Sequence, residues 1–363
     1  MLEQEYDFSF IDKIENKIIS IICHDQPDPD CLASAMGIKE FLESKGFDVS
    51  IYYGGDLSHT QNRVMINVLN IPIIKLDTED ESAEYIKNKI NNSSIILVDT
   101  CHFKKDNCQS ISNFVSKEKT PLLIIDHHSV CQNVDCEYIH KIYGACSTII
   151  YQILKENNVN INSILATALY LGISTDTDNL RSEGTVQEDK NCFEELKQKI
   201  DTDLFLRIFN HPKPLAMLNI RGKTYNSMSI KDNLFVSNVG IINPQQRSLL
   251  AEICEEILEI EAIETVVILG IVDDGYNKQK HLTASFRSRD IAIDTKDFLQ
   301  NVFGKKNSGG RKGCGAARIL LDETSCKVID HLFNEENLEP LEKFIKPIFE
   351  VYKNKIEEEK SKI

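Results

Sequence analysis

The sequence has no long apolar run and no leader-like beginning. None of its hydrophobic stretches approaches the roughly 18 consecutive apolar residues that a membrane-spanning helix needs. Residues 1–12 are acidic and lack a basic segment followed by an apolar one, which is the usual pattern of a secretory signal. We therefore expect a cytoplasmic protein that has no membrane segment.

Paired cysteine motifs are also missing. The 11 cysteines are an odd number, contain no Cys-x-x-Cys pair, and stand mostly in apolar surroundings, such as those of Cys23, Cys146 and Cys254. This pattern argues against a disulfide framework. It favours reduced thiols that pack as small hydrophobic side chains.

The chain is short of positive charge. It carries 41 Lys or Arg residues against 56 Asp or Glu residues, for a net charge of −15. Such a field repels long nucleic acids, so no long duplex partner is expected. Between positions 280 and 318, however, the sequence has nine basic residues and three acidic ones, a surplus of six positive charges. An acidic protein with a local basic region can still bind a short phosphate-bearing ligand.

A length of 363 residues exceeds that of one ordinary domain. The polar, proline-containing stretch Asn210-His211-Pro212-Lys213-Pro214 is typical of a connection between domains. We predict a first domain at 1–200, a linker at 201–214, a second domain at 215–336 and a charged C-terminal helix at 337–363.

Four apolar segments run directly into aspartate or histidine. The segments 18–23, 94–98, 121–125 and 165–173 are followed by His24-x3-Asp28-x-Asp30, Asp99, Asp126-His127-His128 and Asp176, respectively. The first three segments are typical of buried parallel strands, and the last is typical of a helix. Aspartate is a common turn or cap residue at strand ends, so one such motif proves little. Because the carboxyl ends of parallel strands open on one edge of a sheet, the four together predict a shared crevice.

A crevice with about five carboxylates and two or three imidazoles needs a compensating cation, because like charges a few ångströms apart raise one another's pKa. Mixed His and Asp ligands suit Mn²⁺, Fe²⁺, Co²⁺ or Zn²⁺ better than Ca²⁺, which takes oxygen ligands. Two such ions roughly 3.5–4 Å apart are a recurrent device for hydrolysing phosphate esters. The sequence therefore predicts a pair of divalent metal ions.

The ordered set of motifs resembles the four motifs of the DHH phosphoesterase family. The resemblance implies an α/β fold, with an N-terminal lobe built on a mainly parallel sheet flanked by helices and a smaller C-terminal lobe with a mixed sheet. It also implies two metal ions, most readily Mn²⁺, with Mg²⁺, Co²⁺ or Fe²⁺ as alternatives. One ion would be held by His24, Asp28 and Asp99, and the other by Asp30, Asp99, His127 and Asp176.

The same resemblance assigns catalytic roles to two further residues. His128 would face the substrate phosphate. Asp126 would fix an imidazole through its ring N–H, an arrangement that sets the orientation and tautomer of the ring.

The second half of the chain resembles the DHH-associated C-terminal domain, which usually carries an Arg-Ser pair and a glycine-rich loop with a histidine. Arg287-Ser288 matches the pair, and Gly309-Gly310-Arg311-Lys312 stands where the loop is expected, with Arg311 in place of the histidine. The resemblance implies that these six residues bind substrate in a cleft between the lobes. A mobile turn is the alternative for the glycines. Arg181 is a further candidate for the phosphate, with a structural salt bridge as its alternative.

Within the family, the short two-lobe layout is most similar to the branch of oligoribonucleases (nanoRNases) and phosphatases of 3′-phosphoadenosine 5′-phosphate (pAp). We therefore expect hydrolysis of short oligoribonucleotides, as by an exonuclease, or of pAp. Cyclic dinucleotides, polyphosphate and pyrophosphate are alternative substrates for the same fold. A non-catalytic nucleotide sensor is an alternative of another class, although no predicted metal ligand is missing. A homodimer is a further expectation.

Overall fold

The computed structural model describes residues 16–55, 57, 59–101, 110–128, 136–273, 279–334 and 338–363, together with Tyr6, Phe8, Ile11 and Ile14; for 331–334, 338–342 and 344 it describes the backbone alone. The chain divides into two compact units, Met1–Pro212 and Lys213–Ile363. The region predicted as a linker contains a helix, Thr202–Phe209, that belongs to the first unit.

The first unit is built on a sheet of six parallel strands. They are β1 (Ile18–Ile22), β2 (Asp48–Tyr53), β3 (Ile73–Lys75), β4 (Ser94–Val98), β5 (Leu123–Asp126) and β6 (Glu137–His140). The central strands β1, β4 and β5 are rich in buried Ile, Leu and Val, because both faces of a parallel sheet are covered. Alternate residues of these strands enter two different hydrophobic cores, one on each face of the sheet.

The strand order, β3-β2-β1-β4-β5-β6, reverses direction between β1 and β4. From β1 the chain moves outward to β2 and β3, and from β4 it moves the other way. Connections after β1 and β4 therefore leave toward opposite sides, and a crevice forms at the carboxyl ends of these two strands.

Seven α-helices of the first unit lie in the described region. They are α1 (Pro29–Ser44), α2 (Thr60–Leu69), α3 (Ala83–Asn91), α4 (Cys146–Glu156), α5 (Ser163–Asp176), α6 (Gln187–Lys197) and α7 (Thr202–Phe209). Asp28 caps α1 and Pro29 occupies its first turn, both favourable choices at a helix start. Gly37 lets α1 and α4 approach closely, since a Cβ there would lie 2.4 Å from Ile150 Cγ2.

The second unit is built on a mixed sheet with the order β11-β12-β10-β9-β8-β7. Its strands are β7 (Ser229–Lys231), β8 (Leu234–Ile242), β9 (Thr265–Asp273), β10 (Lys280–Ser288), β11 (Ser308–Arg311) and β12 (Cys314–Leu320). Only the β8–β9 pair is parallel among the described strand pairs of this sheet.

Helices cover both faces of the second sheet. They are α8 (Ala216–Asn226), α9 (Arg247–Leu258), α10 (Thr295–Phe303), α11 (Glu323–Asn334) and α12 (Leu338–Lys360). Two separate cores result: one includes α10 and α12, and the other includes α8 and α9. The prediction of a parallel α/β lobe followed by a mixed-sheet α/β lobe is confirmed. No helix in the described part of the chain combines the length and apolar character that crossing a membrane requires.

Candidate metal centre

Two imidazole rings at the carboxyl edge of the first sheet are oriented by backbone carbonyls. The Nδ1 of His24 lies 2.9 Å from the carbonyl of Asp25, and the Nδ1 of His127 lies 3.0 Å from the carbonyl of Tyr143. A carbonyl only accepts, so each Nδ1 carries a proton, and in the neutral ring each Nε2 keeps the lone pair that can bind a metal ion. Both Nε2 atoms face the Asp99 carboxylate, at 3.8 Å for His24 and 3.3 Å for His127. Rings prepared in this way are typical of metal-binding histidines.

Asp99 lies at the centre of the cluster, directly after β4. Its backbone has a φ of +56°, an uncommon conformation that non-glycine residues adopt mainly at turns and functional sites. Its backbone N–H donates to the Ile125 carbonyl, which ties this turn to the end of β5. Asp99 is 4% exposed, and its Oδ1 has no hydrogen-bond partner among the described residues.

Asp30 is fully buried and is held by the first turn of α4. The backbone N–H of Cys146 donates to one carboxylate oxygen at 2.7 Å, and that of Ser147 donates to the other at 2.8 Å. These groups have no partner within the helix, and the helix dipole favours an anion at this end. Gly172 of α5 leaves room for the contact, since a Cβ there would lie 3.0 Å from Asp30 Oδ1. The start of α4 therefore binds an anion that belongs to the protein itself.

His127 connects Asp30, Asp99 and Asp176. Besides its approach to Asp99, its Nε2 lies 3.2 Å from Asp176 Oδ2 and 3.9 Å from Asp30 Oδ2. Asp176 is the last residue of α5, so a helix end brings this carboxylate to the strand edge.

The electrostatics of the cluster show an excess of negative charge. Burial raises the pKa of Asp30 to about 7, and the nearby Asp176 carboxylate adds to the rise. Burial also raises the pKa of Asp99 well above its usual range. Although burial lowers the pKa of His127, the carboxylates of Asp176 and Asp99 raise it to about 12. Without another cation, the histidine proton partly compensates the carboxylates.

The donor set fits a divalent metal ion. The buried Nε2 of His127, like Asp99 Oδ1, has no hydrogen-bond partner among the described residues. A buried polar atom without a hydrogen-bond partner costs folding free energy. Two such atoms side by side therefore indicate that a bound ion satisfies both. Three groups bring their ligand atoms within 4.8 Å of one another: Asp30, His127 and Asp176; Asp99, His127 and His128; and His24, Cys31 and Asp99.

Asp28 is the predicted ligand that these groups do not include. Its Oδ1 accepts from the backbone N–H of Cys31 at 3.0 Å, so Asp28 caps α1. It nevertheless lies close enough to contribute to the raised pKa of Asp30 and of Asp99.

Asp126 and His128 form an ordered pair beside the cluster. Asp126 Oδ1 accepts from the backbone N–H of His128 at 3.1 Å and from its Nδ1 at 2.8 Å. Asp126 is buried, whereas the His128 side chain is 59% exposed, and its Nε2 is on the ring edge opposite Asp126. The Asp126 bond raises the pKa of His128. The pair therefore holds an imidazole ring in a fixed orientation next to the metal-capable atoms.

The predicted phosphate contact Arg181 is bound to a neighbouring carboxylate. Its guanidinium donates to Asp178 Oδ1 at 2.9 Å and to the Asp178 carbonyl at 3.0 Å, and both side chains are exposed. In the structure Arg181 therefore makes a local salt bridge, which is the alternative to phosphate binding that the sequence left open.

In the second unit, Arg287 and Ser288 both have partners. The guanidinium of Arg287 donates twice to Glu255 Oε1, at 3.0 and 2.9 Å. The Ser288 hydroxyl lies 2.9 Å from Thr265 Oγ1 and 3.1 Å from the Glu264 carbonyl. The structure therefore places both residues in contacts internal to the unit.

The glycine-rich stretch forms a β-hairpin. Gly309 and Gly310 lie in the edge strand β11, and Lys312-Gly313 makes the turn to β12, with Gly313 at a φ of +72°. A Cβ on Gly310 would lie 2.9 Å from Thr295 Cγ2 of α10, so this glycine permits close packing. Arg311 and Lys312 are exposed at the tip of the hairpin.

Sequence reasoning missed three contributors to the site. Cys31 belongs to no motif in the sequence, the backbone of Tyr143 carries no sequence signal, and Gly172 lies within an apolar segment. The sequence does carry a signal at the start of α4, because the stretch Gly144-Ala145-Cys146-Ser147-Thr148 is rich in small residues, which suit either an anion site or tight helix packing. The anion proves to be Asp30, which is 116 residues away.

Comparisons with known proteins give a family match for the first unit and several more distant likenesses. Residues 18–173 match the family model described as the DHH family, N-terminal domain. An uncharacterised protein of Methanocaldococcus jannaschii is 30% identical over 306 residues, which are 83% of this chain and 58% of that protein. The chain thus spans little more than half the length of this relative.

Two further similarities extend over most of this chain and most of the compared protein. A probable manganese-dependent inorganic pyrophosphatase of Listeria innocua is 23% identical over 298 residues, 78% of this chain and 88% of that protein. The crystal structure of an exopolyphosphatase-related protein from Bacteroides fragilis has a TM-score of 0.65 at 16% identity, over 94% of this chain and 95% of that one. The second likeness is one of fold.

Proposed function

We propose that this chain, whose first unit carries a DHH family N-terminal domain, is a metal-dependent hydrolase of phosphoric esters or anhydrides. The family match and the manganese-dependent pyrophosphatase relatives are consistent with a phosphoric-ester hydrolase. One observation carries the proposal: Asp99 Oδ1 and His127 Nε2 are buried 3.3 Å apart, without hydrogen-bond partners in the described region, among further carboxylates.

In this proposal two ions share Asp99. Asp30, His127 and Asp176 would hold one, and His24 and Asp99 would hold the other, with Asp28 at the start of α1 as the ligand that the family resemblance adds. Nitrogen and carboxylate ligands suit Mn²⁺, the metal in the name of the pyrophosphatase relatives. When bound, such ions acidify water and neutralise charge on phosphoryl oxygens.

The residues of the chain supply orientation and a proton. The Asp126 carboxylate holds the exposed His128 ring, whose Nε2, when the ring is protonated, is placed to donate a hydrogen bond to a phosphoryl oxygen. A donor fixed before the substrate arrives stabilises charge that develops in the transition state without a reorganisation cost. His128 is thus the proposed catalytic donor, and Asp126 is its positioning residue.

For the substrate we propose a short compound with a terminal phosphate. Short oligoribonucleotides and pAp are the first candidates, because the net charge of −15 disfavours long polyanions. Pyrophosphate or polyphosphate is the second candidate. It is favoured by the pyrophosphatase relatives and by the exposed cations Arg311 and Lys312, which suit an inorganic phosphate end.

A substrate panel tests the proposal. Metal-free protein is reloaded with Mn²⁺ and given a 5′-labelled diribonucleotide, pAp, pyrophosphate, tripolyphosphate and a cyclic dinucleotide, with phosphate release and labelled products measured. We expect Mn²⁺-dependent turnover of one or two members, and none by a D99N variant. Turnover of the first two members favours the nucleotide assignment, and turnover of the next two favours the inorganic one. Metal binding without turnover of any member would support a sensor instead.

A further inference from the structure

Two buried thiols end up in equivalent positions at the carboxyl edge of the first sheet. Cys31 Sγ lies 3.6 Å from the carbonyl of Val98 at the end of β4, and Cys146 Sγ lies 3.6 Å from the carbonyl of Ile125 in β5. Both residues are fully buried. Either one, taken alone, is explained as a small core side chain.

The two thiols differ in what else they face. Cys31 Sγ, a ring nitrogen of His24 and a carboxylate oxygen of Asp99 lie within 4.8 Å of one another. Cys146 belongs to none of the metal-capable groups found among the described residues. Ligand atoms around one tetrahedral ion are roughly 3.5 Å apart, given Zn–N and Zn–S bonds of about 2.0–2.3 Å. Small side-chain rotations therefore bring the Cys31 group to a coordination distance.

A second observation points to a ligand at this place. Asp99 is more than nine-tenths buried, and its Oδ2 lies 3.8 Å from His24 Nε2. The Oδ1 of the same carboxylate, which has no hydrogen-bond partner in the described region, lies on the side of His127. His24 is already turned so that its Nε2 faces Asp99. Asp28, the third ligand expected from the sequence, has one carboxylate oxygen engaged by the backbone N–H of Cys31. Cys31 Sγ is therefore a further possible donor beside His24 and Asp99 on this side of the centre.

We propose that Cys31 is a ligand of the ion held by His24 and Asp99, and that it makes this position selective for thiophilic divalent ions such as Co²⁺, Zn²⁺ and Cd²⁺. The inference rests on the metal centre of the proposed function. Thiolate ligands favour these ions, whereas the nitrogen and oxygen atoms of Asp30, His127 and Asp176 suit Mn²⁺. The two positions of the centre thus differ in chemistry.

The coordination step balances without a redox partner. The S–H bond of Cys31 breaks, its proton passes to solvent, and a sulfur lone pair binds the ion. The weak contact between Sγ and the Val98 carbonyl is given up. Nothing is oxidised or reduced.

Titration of metal-free full-length protein with Co²⁺ alone tests the proposal by absorption rather than by activity. A thiolate bound to Co²⁺ gives a charge-transfer band in the near ultraviolet, and nitrogen or oxygen ligands do not. We expect this band in the unchanged chain and in C146A, and its loss in both C31A and C31S. We also expect Co²⁺ affinity at this position to fall at least about 10-fold in C31A, with Mn²⁺ affinity unchanged at the other position.

The outcomes separate the two proposals. Co²⁺ binding without the band, or a band that persists in C31A, overturns the thiolate ligand and leaves the proposed hydrolase intact. Failure of Co²⁺ and Mn²⁺ to bind at all overturns both. If the Cys31 variants do not fold, Cd²⁺ is added to the unchanged chain and to C146A, and the absence of Cd²⁺-thiolate absorption in both overturns the thiolate ligand.

Discussion

The carboxyl edge of the first sheet and the Arg287-Ser288 motif of the second unit were both identified from family motifs. Their polar atoms differ in whether they have hydrogen-bond partners. At the strand edge, Asp99 and His127 keep buried atoms without hydrogen-bond partners among the described residues. In the second unit, Arg287 is bound twice by Glu255, and the Ser288 hydroxyl is engaged by neighbouring polar atoms. Both sets come from one chain and one family resemblance.

This difference teaches where a ligand is required and where it is optional. A buried polar atom without a partner costs on the order of 1–3 kcal/mol, and a bound ion removes that cost. A satisfied arginine must exchange one partner for another, so a substrate gains only the difference between them. We therefore expect the strongest effects of mutation in the first unit.

Removing the central carboxylate should have the largest effect. Asn tolerates the left-handed backbone of Asp99, so D99N changes charge with little backbone strain. Because Asp99 faces both histidines, we expect hydrolysis to fall by more than the roughly 100-fold that loss of an outer partner can cost. Bound Mn²⁺, measured by elemental analysis, should fall with it.

The matched control is D178N. Asp178 also has a positive φ, of 48°, but it is exposed and paired with Arg181. Its substitution should leave metal content and turnover nearly unchanged. Equal losses in the two variants would show that backbone strain, and not the carboxylate, is what matters.

Removing the charge that orients His128 should have the next largest effect. We expect D126N to lower kcat by roughly 10- to 100-fold while metal content is retained. Asp126 raises the pKa of His128, and a protonated His128 donates only below that pKa. Activity is therefore lost as pH rises through it, and in D126N the loss should begin at a lower pH. A pH profile of kcat with an unmoved alkaline limb would contradict the positioning role.

A pair of glycine substitutions compares the two units by stability. The Cβ of G172A would lie 2.2 Å from Ser147 Oγ and 3.0 Å from Asp30 Oδ1. We expect the free energy of unfolding to fall by about 1–3 kcal/mol and Mn²⁺ binding to weaken. In G222A, on α8, the added Cβ meets no atom within 4 Å, so stability should rise by about 0.5–1 kcal/mol. Urea unfolding measures the free energy of unfolding of both variants. Equal changes of the same sign in the two variants would contradict the expected contrast.

The smallest effect is expected at the hairpin tip. Arg311 is exposed, so R311A should raise KM by at most about tenfold, or 1.4 kcal/mol, with kcat and metal content unchanged. K306A, which removes another exposed cation of the same region, serves as its control. A large fall of kcat in R311A would place the hairpin in the chemistry and erase the contrast between the units.

The strand edge was predictable from sequence because parallel strands deliver their carboxyl ends to one place whatever the details of packing. Asp99 and His127 could be identified as site residues from their positions after apolar runs alone. The grip of α4 on Asp30 was not predictable, because the pairing spans 116 residues and the groups involved are backbone N–H groups. Cys31 was hidden because a thiol in an apolar helical pattern is ordinarily a core residue.

The second unit shows the opposite limit. Arg287 and Ser288 were found from their motif, but their partners Glu255 and Thr265 come from other elements that a motif does not specify. Gly310 suggested a loop for binding anions, whereas packing against α10 accounts for it. The motif identified the residues and could not identify their neighbours.

The anchoring of His24 and His127 has an evolutionary consequence. Both rings take their tautomer from a main-chain carbonyl, at Asp25 and at Tyr143. Any residue at either position supplies a carbonyl, so the tautomer of each ring depends on the course of the main chain and not on the identity of that side chain. The orientation of both rings is therefore set by the backbone conformation, which a comparison of amino-acid sequences does not show.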